Sequence, residues 1–118
     1  MSRICRILIP ADAMPSPATL QAGLKSLGFK LNLEGLDLAG ASGFQGCVLD
    51  GEDAGFSVTQ EGDGLSLRWS GDPREHCAAL MVAAALQMLG DAEISLGGGA
   101  PLDADALQSR LREVLEEI

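Results

Sequence analysis

The chain is poor in aromatic residues: tyrosine is absent, and one Trp and three Phe make up 3% of it. That scarcity removes most of the platforms on which single-stranded nucleic acid stacks and leaves the core to Leu, Ile, Val and Ala. Basic residues are also few. Eight Lys and Arg against seventeen Asp and Glu give a formal net charge of −9, the wrong sign for binding a phosphate backbone. The single histidine, His76, rules out multi-histidine metal sites. Three cysteines, Cys5, Cys47 and Cys77, lie in apolar segments without C-x-x-C spacing. Free thiols in such places behave as small hydrophobes, so neither a disulfide framework nor a structural zinc is expected. The longest apolar run, Cys77 to Leu86, is about half a membrane span. After Arg3 and Arg6 only "ILI" precedes Pro10, too short for the apolar core of a signal peptide. The expectation is a cytoplasmic protein that binds neither nucleic acid nor membrane and needs no cofactor or metal.

What is present suits one α+β domain over residues 1–118. A hydrophobic content of 47% over 118 residues lets such a chain bury roughly two-thirds of its unfolded surface. The charge is uneven. Residues 1–49 hold four basic and three acidic residues, and residues 50–118 hold four and fourteen. Acidity of that kind keeps a small protein soluble and steers basic partners toward it.

"ICRILI" reads as a strand closed by Pro10, and "SPATLQAGLKSLG" as a helix capped by Ser16, with Pro17 at its first position and Gly28 at its end. "FKLNLEGLDL" alternates as a strand with a phase slip at Gly35, where a bulge is expected. "AGASGFQG" reads as a flexible connection, followed by short strands "CVLD", "GFSVTQ" and "LSLRWS" joined by "GEDAG" and "EGDG". These spacings predict an antiparallel meander. "DPREHCAALMVAAALQMLG" is the main helix, ended by Gly90 and followed by the strand "AEISL". A terminal helix then carries the stripe Leu107, Leu111, Val114, Leu115 and Ile118.

Along the strands, one face collects Leu31, Leu33, Phe56, Val58, Leu65 and Leu67. The other collects Lys30, Asn32, Ser57, Thr59, Ser66 and Arg68. That pattern predicts a mainly antiparallel sheet of about five or six strands with helices packed on one face only. The polar face is then free to bind.

The stretch "WSGDPREH" gathers the only Trp and the only His. Asp72 before Pro73, with Glu75 three positions on, is a helix-start signature. Asp72 is expected to accept from the N–H of Glu75, and Glu75 from the N–H of Asp72. Trp69 continues the inward phase of Leu65 and Leu67. Arg68, Trp69, Asp72, Arg74, Glu75 and His76 together are the candidate binding residues, with Cys47 a possible neighbour through the fold. No catalytic set is assigned. His76 and Cys77 are adjacent on a helix, and adjacent helical side chains diverge by about 100°.

Other motifs carry less. "LGGGAP" has the glycines of a phosphate-binding loop, yet no Lys follows and "LDAD" brings carboxylates. "GASG" lacks the spacing of a hydrolase elbow. "DGED" lacks the oxygen spacing of a calcium loop and reads as a hairpin turn. The segments "PSPATLQAGLKSLGFKLNL", "SGFQGC", "AGFSV" and "RWSGDPREHCAALMVAAAL" resemble those of a group of small stand-alone bacterial proteins with no assigned reaction. The group's W-G-G-x-x-x-E pattern is met at Trp69, Gly71 and Glu75 and departed from at Ser70. The resemblance implies a bacterial cytoplasmic protein.

Two functions stay open at this level. One is a non-enzymatic protein-binding module, neutralising or regulating a basic partner through charge complementarity. The other is an enzyme or small-ligand binder with a pocket near Trp69, Glu75 and His76. Either a monomer or a homodimer fits, the latter through the last helix or an edge strand.

Overall fold

The structure, a computed structural model, describes residues 3–33, 42–62 and 64–118. Strand β1 (Ile4–Leu8) leads through a 3₁₀ turn at Ala11–Ala13 to helix α1 (Pro17–Ser26) and the short strand β2 (Leu31–Asn32). Then come β3 (Ser42–Leu49), β4 (Glu52–Glu61), β5 (Gly64–Arg68), α2 (Pro73–Gly90), β6 (Glu93–Leu96) and α3 (Ala104–Leu115). All six strands join one antiparallel, curled sheet in the order β2-β3-β4-β5-β1-β6. The α+β reading with helices on one face holds.

The hairpin between β3 and β4 shows how local chemistry sets register. Its loop is Asp50-Gly51, with φ of 50° and 83°, the pair of positive values that a type I′ turn demands. Leu49 and Glu52 then face each other, and the register runs without a break to Ser42 opposite Thr59. Helix starts are equally local. Ser16 accepts from the N–H of Thr19 at 3.3 Å, and Asp103 from the N–H of Ala106 at 2.8 Å.

Helix α2 is the centre of the molecule. Cys77 to Leu86 are all buried, because the sheet lies beneath them and α1 and α3 flank them. Its small residues let the backbone come close to its neighbours. At Gly90 an added Cβ would lie 2.5 Å from Ile9 Cδ1 and 3.1 Å from the carbonyl oxygen of Ala13. Gly90 therefore serves close packing. The left-handed residue that stops the helix is Asp91, at φ 54°.

Three expectations need correction. "SGFQG" is not a flexible connection but the first half of β3, stabilised by a partner strand that lies later in the chain. Of the strand expected over Phe29–Leu38, the described residues up to Leu33 form strand at Leu31–Asn32, and the remainder, with the bulge at Gly35, lies outside the described residues. Ser66 points to the polar face yet is only 2% exposed, because Thr59 and Arg6 flank it on the adjacent strands. Elsewhere on that face Arg6, Leu8, Phe44, Thr59, Arg68 and Glu93 are exposed.

Both edge strands are engaged by their own chain. Gln21 of α1 donates to the Leu31 carbonyl at 2.7 Å and accepts from the Leu33 N–H at 3.0 Å, standing in for a neighbouring strand on β2. At the other edge the Leu102 N–H donates to the Ile94 carbonyl at 2.7 Å.

Candidate functional site

The segment Arg68–His76 runs from the end of β5 into α2, and its side chains divide among three places. Asp72 caps α2, but its carboxylate accepts from the N–H of Arg74 at 2.9 Å, not from Glu75. Glu75 does not reach the Asp72 N–H. Its Oε1 accepts from the Ser70 N–H at 3.0 Å and from the Ser70 hydroxyl at 2.8 Å, while the Asp72 N–H donates to Ser70 Oγ at 3.3 Å. Ser70, the departure from W-G-G-x-x-x-E, thus becomes the centre of the turn.

His76 stacks on Trp69, with ring centroids 4.5 Å apart and planes within 14°. It is half-buried, and burial lowers its pKa below the ordinary imidazole value. The Glu117 carboxylate opposes that shift and the Arg110 guanidinium adds to it. Neutral imidazole packed flat on indole is a structural contact. Neither neighbouring thiol is an activated nucleophile. Burial pushes Cys5 up to about 12 and Cys77 up to about 11, where Glu117 adds to the effect, so both stay protonated at neutral pH. Cys47 is buried too, in β3.

The concavity beside Trp69 and Glu75 is small, about 260 Å³, and its wall includes Phe44, Ser57, Arg68 and Ser70 but not His76. Small-molecule pockets run from about 300 to 1,000 Å³. Phe44, 64% exposed with its ring over Gly55, belongs to this wall and was hidden from sequence reasoning by its glycine-rich surroundings.

Arg74 points elsewhere, into a crevice of about 400 Å³ between the Asp50-Gly51 hairpin, the end of α1 and the last turn of α3. Phe29, Leu49, Met81, Leu115 and Ile118 form its apolar wall. Leu115 and Ile118 are 40% and 50% exposed, whereas Leu107, Leu111 and Val114, earlier on the same stripe, are buried against α2. The charged lining is mixed: Asp50 and Glu52 stand with Lys30 and Arg74, and Lys30 is engaged by Asp50 at 3.8 Å. Glu116 and Glu117 sit in the chain between Leu115 and Ile118.

Among the described residues no group of three or more His, Cys, Asp or Glu could hold a metal ion, and no helix is long and apolar enough to cross a membrane. No protein-family model, curated protein or solved structure matches the chain.

Proposed function

We propose that the protein is a non-enzymatic binding module that docks a basic protein partner, and that the crevice under the end of α3 is where it does so. One observation carries the reading: the half-exposed Leu115 and Ile118 line a crevice with an apolar wall, whose charged lining is Asp50 and Glu52 with Lys30 and Arg74, and Glu116 and Glu117 adjoin the two apolar residues in the chain. An apolar side chain of the partner fills the crevice while flanking Lys or Arg residues meet the rim. Apolar anchors supply affinity and rim charges supply encounter rate and selectivity. The bacterial cytoplasm is the setting that goes with this reading. The thiols of Cys5 and Cys77, kept protonated by burial, speak against thiolate chemistry.

The test is capture of partners by the tagged protein at low and high salt, repeated with Leu115→Asp and with Glu116→Gln/Glu117→Gln. A basic protein held at low salt, released at high salt and lost with both variants is the expected result. Capture that persists in both variants, or no partner at either salt, overturns the proposal.

A further inference from the structure

We infer a second site on the uncovered face of the sheet, where Arg6 and Arg68 converge over the Gly97–Gly99 loop to take the phosphate group of a small molecule. It is independent of the docking crevice, which lies elsewhere and shares none of its lining residues.

The strand register brings these groups together. Arg68 ends β5 opposite Ile4 of β1, and Arg6 stands two residues further along β1, between Ser66 and Ser95. Diagonal positions of this kind on neighbouring strands are about 7–8 Å apart at the backbone, within reach of long side chains that meet on one group. They border a shallow depression of about 570 Å³ whose lining is Ile4, Arg6, Arg68, Ser95 and the three glycines. In a chain of net charge −9, that lining holds two guanidiniums and no carboxylate. Glu93 lies on the same face, diagonal to Arg6 across β1 and β6, and outside the lining.

The loop is built for close approach. The Gly97 N–H donates to the Ile4 carbonyl at 2.9 Å and the Gly99 N–H to the Leu96 carbonyl at 3.1 Å, which pins both ends. Gly97 has φ 61°, and around Gly98 there is open space where a Cβ would stand. Three bare backbone positions beside two arginines let a ligand oxygen approach the chain closely. Guanidinium forks, unlike ammonium groups, match phosphate oxygens two at a time.

The two objections raised by the sequence of this loop also fall away. The missing Lys after "LGGG" is replaced by arginines from β1 and β5. Asp103 of "LDAD" is turned to the helical side, where it caps α3 and lines a concavity with Leu27, Ala84 and Met88. Asp103 therefore does not face the glycines' ligand side, and Asp105, in the first turn of α3, is outside that lining as well.

Inorganic pyrophosphate, added at constant ionic strength to the ¹⁵N-labelled protein, is the probe, with succinate as the dicarboxylate control. Amide shifts confined to Arg6, Arg68, Ser95 and Gly97–Gly99 are expected, with a weaker response to succinate. Arg68→Ala removes a charged donor and should weaken pyrophosphate binding by about ten-fold. Gly98→Asp places a carboxylate in open space and should do the same, both with unchanged thermal unfolding. Shifts centred on Lys30 and Arg74, an equal response to succinate, no response, or full affinity in both variants would each overturn the inference.

Discussion

Replacing Gly90 by alanine sets two effects of opposite sign against each other, and the packing decides between them. Gly90 is the last residue of α2 and lies outside the left-handed region, so alanine brings no backbone strain. Propensity alone favours it by at most about 1 kcal/mol, less at a helix end. Against this, the new methyl would stand 2.5 Å from Ile9 Cδ1 and 3.1 Å from the Ala13 carbonyl oxygen, where carbon atoms pack best at about 3.5–4.0 Å. Ile9 is 1% exposed and cannot swing its methyl into water without opening the core, and the Ala13 oxygen is main chain. Overpacking of this kind costs about 1–3 kcal/mol, which leaves a net loss of about 1–2 kcal/mol. Urea unfolding reads it as a midpoint lowered by about 0.5–1 M, for a slope near 2 kcal/mol/M. Ile9→Val deletes Cδ1. Alone it costs about 0.5–1.5 kcal/mol, but combined with Gly90→Ala it should recover part of the clash, so that the double variant is more stable than the two losses summed. A raised midpoint for Gly90→Ala, or strict additivity with Ile9→Val, refutes the argument.

Two further outcomes test the α2 entry. His76 is neutralised by burial, so protonation favours the unfolded chain. The stability it contributes is complete above about pH 6.5, the ordinary imidazole value, and is lost as pH falls through the lower folded value. Because the ring stacks on Trp69 and a protonated imidazole quenches indole emission, Trp fluorescence should drop with a midpoint below 6.5, and a midpoint at or above that value contradicts the assignment. Asp72→Ala should cost about 1 kcal/mol in chemical denaturation, with Glu75→Ala similar and Ser70→Ala smaller. A negligible loss for Glu75→Ala would show that its bonds to Ser70 do not support the turn.

Much of the fold was legible because its signals are local. "DGED" marked the first hairpin turn, although β4 already begins at Glu52, inside the expected connection "GEDAG"; Ser16 and Asp72 marked helix starts, and the unbroken apolar run from Cys77 marked a buried helix. What failed depended on partners distant in sequence. The segment at Ser42–Gly46 has two glycines and no alternation of its own, and it becomes a strand only because β4 offers a full ladder of backbone partners. Ser66 reads as a solvated residue of a polar face, yet its exposure was decided by the bulk of its cross-strand neighbours.

The candidate residues are dispersed for a different physical reason. Nearness in sequence suggested that Arg74, Glu75 and His76 share one pocket, but each step along an α-helix turns the side chain by about 100°. Three consecutive residues therefore point in three directions: Arg74 into the crevice beside the end of α3, Glu75 back onto Ser70, His76 flat on Trp69. A sheet does the reverse. It gathers Arg6, Arg68 and Ser95, far apart in the chain, onto one face through register alone. Charge adds a second lesson. The net charge predicts an acidic molecule, yet a net value says nothing about how charge is shared between faces. The two arginines beside the glycine loop stand where strand alternation put them, on the one face that the helices leave open.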